Sequence, residues 1–143
     1  MTPEQIDHVQ ASFLLILPIR LQAAQLFYAR LFEIDPGTRP LFANTNLEDQ
    51  GDKLMSALGF VVGALRKPDT MLGTVRALAQ RHVRYGVVES HYASVGEALI
   101  WTVRLGLGDA ATPDVVASWV SAYALLRSAM LGSLDSDPQQ SAA

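Results

Sequence analysis

The 143-residue chain contains no cysteine, and this absence removes several classes of protein at once. Disulfide scaffolds, thiol nucleophiles, zinc fingers and iron–sulfur clusters all depend on cysteine sulfur. Period-2 alternation of apolar and polar residues is also missing, so we expect no β-strands. The chain has no glycine-rich phosphate loop and no nucleophile-elbow motif, which excludes the chemistries that depend on them.

An excess of basic residues is missing as well. The chain has 11 basic and 14 acidic residues, a net charge of −3, and shows no cationic face suited to nucleic acid. Its longest unbroken apolar run, Phe13 to Leu17, ends at Pro18 and is far shorter than the roughly 20 residues of a membrane span. Glu4 and Asp7 stand where a secretory signal carries basic residues. We therefore expect a cytoplasmic protein with no membrane span.

The chain does contain apolar residues at helical spacing, separated by capping signals. Thr2-Pro3-Glu4-Gln5 predicts the start of a first helix, and Pro18 ends it. The next signals predict a helix from about Ile19 to Ile34 whose buried stripe includes Leu21, and then a turn capped by Asp35 that ends at Phe42. A third helix is predicted from Leu47 to about Leu65, and a further helical stripe from Met71 and Leu72 to Gly86. Ser90 is predicted to cap the next helix, which Gly106 and Gly108 end, and a last helix follows Thr112-Pro113.

This pattern predicts an all-α domain of about six to eight helices. Several helical faces are heavily apolar, which favours a globin-like pack over a simple four-helix bundle, although periodicity alone leaves both open. We assign residues 1–132 to this domain. Residues 133–143, SLDSDPQQSAA, are small and polar and are expected to form a disordered tail.

His82 is the histidine with an unusual position. It extends the apolar stripe of Leu72, Val75 and Leu78 by one more turn, whereas His8 lies on a polar face and His91 at a helix start. The pattern allows either a hydrogen-bonded core histidine or an axial ligand of a metal cofactor. No second ligand stands three or four residues away, so a zinc site is unsupported. A haem would need only this one protein ligand.

Two further polar residues fall on faces that the pattern predicts to be buried. Tyr28 follows Phe27 in the second helix, and Gln50 stands one turn before Leu54. A buried hydroxyl or amide needs a hydrogen-bond partner. Backbone carbonyls could provide it, and Gln50 could equally face solvent; alternatively, both side chains are donors directed at a ligand.

Four separated segments resemble the bacterial haemoglobins of the flavohaemoglobin-like family, and more loosely neuroglobins. The resemblance covers nearly the whole chain apart from the tail. The segments are FYARLFEIDPGTRPLF at residues 27–42, KLMSALG at 53–59, RHVRYGVVESHYASVGEALI at 81–100 and WVSAYALL at 119–126.

This resemblance implies a globin fold around a haem b. It makes His82 the proximal iron ligand and Phe42 the aromatic that packs on the haem face. Tyr28 becomes the distal tyrosine, directed at bound ligand. Gln50 takes the place of the distal histidine of vertebrate globins, and Leu54 lies over the iron.

The resemblance also implies the remaining wall of the pocket. Tyr92 matches the tyrosine near the proximal histidine. Val87, Val95 and Leu99 are expected to contact the haem, and Arg81, or alternatively Arg84, to pair with a propionate.

Two departures from the family affect the expected chemistry. The family's last-helix glutamate, which bonds the proximal imidazole, falls at about Leu134, and the neighbouring Asp135 lies in the predicted tail. Without that carboxylate we expect His82 to be a neutral imidazole bonded to a backbone carbonyl, which favours reversible ligand binding over O–O cleavage. No flavin or nicotinamide domain follows, so an electron donor would have to be a separate reductase.

The leading functional expectation is reversible binding of O2, and of NO or CO. The alternatives are an NO dioxygenase served by a separate reductase, a gas or redox sensor acting through a partner, and a haem-free interaction protein. The expected oligomeric state is a monomer or a homodimer.

Overall fold

Six α-helices and four short 3-10 segments account for most of residues 1–135, the part of the chain that this computed structural model describes. No strand occurs among these residues, which confirms the predicted all-α class. The helices are α1 (Pro3–Ile16), α2 (Arg20–Ile34), α3 (Leu47–Gly63), α4 (Leu72–Arg84), α5 (Glu89–Leu107) and α6 (Pro113–Asp135). The 3-10 segments are Leu17–Ile19, Pro36–Phe42, Pro68–Met71 and Gly108–Ala110.

Local capping signals set the ends of the first helices. At α1 the Thr2 hydroxyl accepts a hydrogen bond from the backbone N–H of Gln5, and the side-chain oxygen of Gln5 accepts one from the backbone N–H of Thr2. The predicted capping box is therefore confirmed. Pro18 lies in the 3-10 segment that turns the chain into α2, as expected. Asp35 was predicted to cap the next turn, but its side chain makes no capping bond and instead accepts a hydrogen bond from Ser94 at 2.9 Å.

The boundaries of the last helices differ from the prediction in three places. Val88, not Ser90, is the N-cap of α5, and its amide donates to Nδ1 of His91 at 3.1 Å. Gly106 lies inside α5, which ends at Leu107 before Gly108 at φ +55°. Helix α6 continues to Asp135, so the first three residues of the predicted tail are helical. The rest of that tail, residues 136–143, lies outside the described residues.

The core lies where α1, α2, α5 and α6 pack against one another. Helix α2 packs mainly on α5, and α1 mainly on α6. Between α1 and α6 the rings of Phe13 and Trp119 meet at 6.3 Å, and the Trp119 indole donates to the Ser12 hydroxyl at 2.8 Å. The Ser12 hydroxyl in turn donates to the His8 carbonyl at 2.6 Å, so this buried polar group is satisfied.

Two leucines that the pattern placed in buried stripes are exposed. Leu21 and Leu72 each stand in the first turn of a helix that follows a 3-10 segment, and both are more than half exposed. Two stretches, Pro3–Ile34 and Pro113–Ser133, are long and apolar enough to cross a membrane by length and composition. The first is interrupted by the turn at Pro18, and both contribute buried side chains to the core.

Candidate haem-binding site

Helices α3 and α4 have different main partners. Helix α3 packs mainly on α2, and α4 mainly on α6, so these two helices are not extensively packed on each other. Six apolar side chains of α3, α4, α5 and the turns next to them are only half-buried although they pack against the core. They are Phe42, Leu54, Leu58, Leu78, Val87 and Val95.

His82 lies in the last turn of α4 and is half-buried. Its Nδ1 is 2.7 Å from the carbonyl oxygen of Leu78. Because a carbonyl can only accept, Nδ1 carries the proton and Nε2 keeps its lone pair. Burial lowers the pKa of His82, the Leu78 hydrogen bond opposes that shift, and the charge of Arg81 adds to it. The ring is therefore neutral at pH 7, with the hydrogen bond to a backbone carbonyl that the sequence analysis expected.

Tyr28 supplies a buried side chain with a polar hydroxyl in α2. The side chain is 5% exposed, and its hydroxyl donates to the backbone carbonyl of Gln50 at 3.4 Å. That distance is at the long limit for an O–H···O hydrogen bond, so the bond is weak. Burial raises the pKa of Tyr28 to about 12, opposed by a hydrogen bond with the Gln50 side chain. The tyrosine therefore stays protonated and remains a donor at neutral pH.

Aromatic rings hold Tyr28 in place. Its ring meets Phe27 edge-on at 5.0 Å and Phe42 edge-on at 5.4 Å. Phe32, which the sequence analysis did not single out, packs on Phe42 at 5.6 Å and on Tyr28 at 6.3 Å. Its position four residues after Tyr28 on the same helix was the available signal. Phe42 is therefore part of a cluster that limits the movement of the Tyr28 ring.

The turn after α4 contacts the Pro36–Phe42 segment, and sequence reasoning missed this contact. Gly86 has φ +88°, and a Cβ there would lie 3.3 Å from Cδ2 of Leu41. Gly86 follows the end of α4, and the Val87 amide donates to the His82 carbonyl at 3.0 Å. The turn next to Phe42 therefore touches the turn next to His82. Only the glycine itself was visible in the sequence, as a helix-ending signal.

Helix α5 carries three of the predicted site residues, Tyr92, Val95 and Leu99. Tyr92 is buried, and its backbone carbonyl accepts from the Tyr123 hydroxyl of α6 at 2.5 Å. Gly96 allows this arrangement, because a Cβ there would lie 2.6 Å from the Tyr123 ring. Leu99 is buried one helical turn after the half-buried Val95.

Leu54 and Leu99 also line a small, apolar interior cavity of about 20 Å³. Residues from α1, α2, α3, α5 and α6 surround it. Besides the two leucines, they include Phe13, Phe27, Leu58 and Trp119.

Arg81 and Arg84 stand apart from the buried part of the site. Both are exposed at the end of α4, and neither forms an ion pair within residues 1–133, where side chains are described. Both arginines stand in the last turn of α4, where the negative end of the helix dipole favours positive charge. Leu134 and Asp135, which bear on the missing glutamate, lie beyond those described side chains.

The residues present fit a haem. A flat apolar group needs apolar side chains with area still to cover, and the half-buried side chains named above provide it. Iron needs a neutral imidazole with a free ring nitrogen, which His82 provides. The Leu78 carbonyl already orients that imidazole.

Comparison with known proteins identifies the family. A sequence profile of the globin family matches residues 25–130. The flavohaemoprotein of Bordetella pertussis is 32% identical over 108 residues, covering 74% of this chain and 27% of that protein. The flavohaemoprotein of Deinococcus radiodurans is 30% identical over 134 residues, covering 92% of this chain and 33% of that protein.

The chain belongs to the globin family, and the resemblance to flavohaemoglobins is confirmed. It spans no more than a third of the length of these two curated relatives. Membership of the family implies a bound haem.

Solved structures agree with the fold. A bacterial globin from Campylobacter jejuni superposes with a TM-score of 0.84, at 22% identity, covering 92% of this chain and 95% of that one. An engineered carbene transferase from Rhodothermus marinus, described as a candidate nitric oxide dioxygenase, superposes with a TM-score of 0.79 at 29% identity. This superposition covers 89% of this chain and 88% of that one. The predicted globin fold is therefore confirmed.

Proposed function

We propose that this chain is a haem protein that reversibly binds a diatomic gas, O2 foremost, between His82 and Tyr28. The observation that carries the proposal is that a globin-family chain holds a neutral imidazole with a free ring nitrogen at His82 and a protonated, buried phenol at Tyr28. When bound, a haem b would supply an iron coordination position for the gas. The half-buried side chains of Phe42, Leu54, Val87 and Val95, with the buried Leu99, would hold the porphyrin.

His82 would hold the iron through Nε2. The Leu78 carbonyl keeps the proton on Nδ1 and orients the ring. A carbonyl acceptor attracts the Nδ1 proton less strongly than a carboxylate does, so the ring gains little imidazolate character and stays close to a neutral imidazole. This electronic state supports reversible ligand retention over cleavage of an O–O bond.

Tyr28 would contribute the hydrogen bond to the gas. Its present bond to the Gln50 carbonyl is long, so redirecting the hydroxyl costs little. Tyr28 is also held by the aromatic cluster, so the donor is already oriented. The Gln50 amide is a second donor proposed for this side, since its residue is the one that Tyr28 contacts. Arg81 remains our proposal for a propionate partner.

The first experiment is haemin titration followed by reduction and exposure to O2. We expect a sharp Soret band and a stable oxygenated spectrum from the native chain. His82→Ala should lose both, and added imidazole should restore them because it replaces the missing ring. Retention of the native spectrum in His82→Ala, without imidazole, would show that another residue holds the haem.

Tyr28→Phe tests the other half of the site. A hydrogen bond to a partly charged acceptor in a buried site contributes roughly 1–3 kcal/mol, so O2 should dissociate about 5- to 150-fold faster. CO accepts hydrogen bonds poorly, and its dissociation serves as the internal control. An unchanged O2 dissociation rate would remove Tyr28 from the proposed role.

NO dioxygenation is the second candidate function. The observation that favours it is the Rhodothermus marinus protein, which matches nearly the full length of this chain and is described as a candidate nitric oxide dioxygenase. This chain would convert NO and O2 to nitrate, and a reductase would have to return the iron to the ferrous state. Nitrate formed over many turnovers with an added reductant would support the enzyme; a single turnover would support gas binding alone.

A further inference from the structure

Four exposed leucines lie on elements that meet at the α1–α2 turn. Leu14 and Leu15 occupy the last turn of α1, Leu21 the first turn of α2, and Leu105 the last turn of α5. Their side chains are 54% to 65% exposed. Scattered surface leucines are ordinary, but several large ones on neighbouring elements indicate an interaction site. We call these four leucines the corner patch.

The end of α5 lies against the turn between α1 and α2. A Cβ on Gly106 would lie 3.4 Å from Cδ1 of Ile19, within ordinary van der Waals distance. Leu105 is therefore next to a residue that contacts the α1–α2 turn. Arg20 is folded over the same turn, because its Nη1 donates to the Leu17 carbonyl at 3.1 Å.

The segments that build this corner carry positive charge and no negative charge. Residues 8–32 and 98–108 contain no aspartate or glutamate. Arg20 and Arg104 are both exposed there. Four carboxylates flank these ranges: Asp7, ion-paired with Arg66, Glu33, ion-paired with Arg30, and Glu97 and Asp109 on either side of residues 98–108. The stretch Pro3–Ile34 is long and apolar enough to cross a membrane by length and composition, although less than half of its most apolar part is buried.

We propose that the corner patch docks this protein on the surface of an anionic lipid bilayer. Exposed leucines would enter the headgroup region, and Arg20 and Arg104 would pair with lipid phosphates. A second copy of the chain fits less well. A two-fold contact brings the same surface of both copies together, and residues 8–32 and 98–108 of that surface offer the arginines no carboxylate partner. The proposal is independent of haem and of the gas ligand.

The test is co-sedimentation of the full haem-loaded chain with vesicles of phosphatidylcholine and phosphatidylglycerol in equal parts. Vesicles of phosphatidylcholine alone are the reference. Leu14→Gln/Leu15→Gln removes apolar area, and Arg20→Gln/Arg104→Gln removes charge. Leu72→Gln and Arg76→Gln, also at exposed residues but on α4, are the matched controls.

We expect the native chain and both controls to bind the anionic vesicles. Each arginine removed should lower the partition coefficient about fivefold, because a cation near an anionic membrane contributes roughly 1 kcal/mol. The leucine pair should lower it at least about tenfold, from the loss of inserted apolar area. Unchanged circular dichroism and Soret spectra would show that every variant is folded.

Three outcomes would overturn the proposal. The first is no binding of the native chain to the anionic vesicles. The second is binding that the α4 controls weaken as much as the corner variants do. The third is concentration-dependent self-association that Leu14→Gln/Leu15→Gln abolishes, without vesicle binding; the patch would then join two copies. None of these outcomes affects the haem experiments on His82 and Tyr28.

Discussion

A single methyl group added at the crossing of α2 and α3 should disturb the candidate site. Gly51 is buried in α3, next to the Gln50 carbonyl that accepts from Tyr28. In Gly51→Ala the new Cβ would lie 2.9 Å from Cβ of Ala24 in α2. Neither atom can rotate away, because each is fixed to its backbone. The two helices must therefore separate.

The size of the effect follows from a comparison within α3. Gly59→Ala is the matched control, since its Cβ would meet Phe13 at 3.6 Å, an ordinary contact. Both substitutions gain up to about 1 kcal/mol from helix propensity. Gly51→Ala alone also incurs an overpacking cost of about 1–3 kcal/mol. We therefore expect Gly51→Ala to be about 1–3 kcal/mol less stable than Gly59→Ala.

Urea unfolding of the haem-free chain, followed by circular dichroism, measures this difference. Ala24→Gly in the Gly51→Ala background should restore stability, because it removes the atom that the new methyl group meets. When loaded with haem, Gly51→Ala should also release O2 faster, since separating the helices displaces the Gln50 amide, the second donor proposed for the gas. Equal stabilities of the two single variants, or no rescue by Ala24→Gly, would refute the steric argument.

Three further predictions use other contacts of the fold. Gly96→Ala should destabilise the chain by about 1–3 kcal/mol, measured by urea unfolding, because its Cβ would lie 2.6 Å from the Tyr123 ring; Gly132→Ala, with nothing within 4 Å, should not. Ser12→Ala should cost about 1–3 kcal/mol in the same assay, since the Trp119 indole loses its buried acceptor, and an unchanged midpoint would contradict this. The Tyr28 pKa of about 12 lies above the ordinary value of 10, so its contribution to stability is complete below pH 10 and is lost as pH rises to 12. The stability difference between the native chain and Tyr28→Phe should therefore fall by up to about 3 kcal/mol over that range, and a constant difference would contradict the raised pKa.

The sequence predicted the features that depend on neighbouring residues. The Thr2 capping box, the break at Pro18 and the inward position of His82 are all local signals, and the structure contains each of them. The cap of α5 was assigned to the wrong residue because His91, rather than Ser90, supplies the acceptor. A ring nitrogen three residues after the N-cap performs there the role usually taken by a side-chain oxygen.

The features that sequence reasoning missed depend on which elements meet. Nothing near Gly86 indicates that Leu41 packs on it, and nothing near Gly96 indicates the Tyr123 ring. Leu21 fits a helical stripe, but the helix begins after a turn that leaves its first residues outside the core. Periodicity gives the face of a helix but not the point where a neighbouring helix stops covering it.

The two sides of the candidate site differ in how firmly the protein holds them. On the Tyr28 side, the close approach of Gly51 to Ala24 and the packed aromatic rings leave little freedom. On the His82 side, α4 buries only Val75 and Ala79, and the residues around His82 at its end are mostly exposed. A directional hydrogen bond to a small ligand requires a fixed donor, whereas an imidazole can adjust as its cofactor enters. Because a group bound only by the folded state stabilises it, haem should cover the exposed end of α4 around His82 and stabilise the fold. The fixed Tyr28 ring and the exposed end of α4 therefore suit a chain that completes the His82 side of its site with the cofactor.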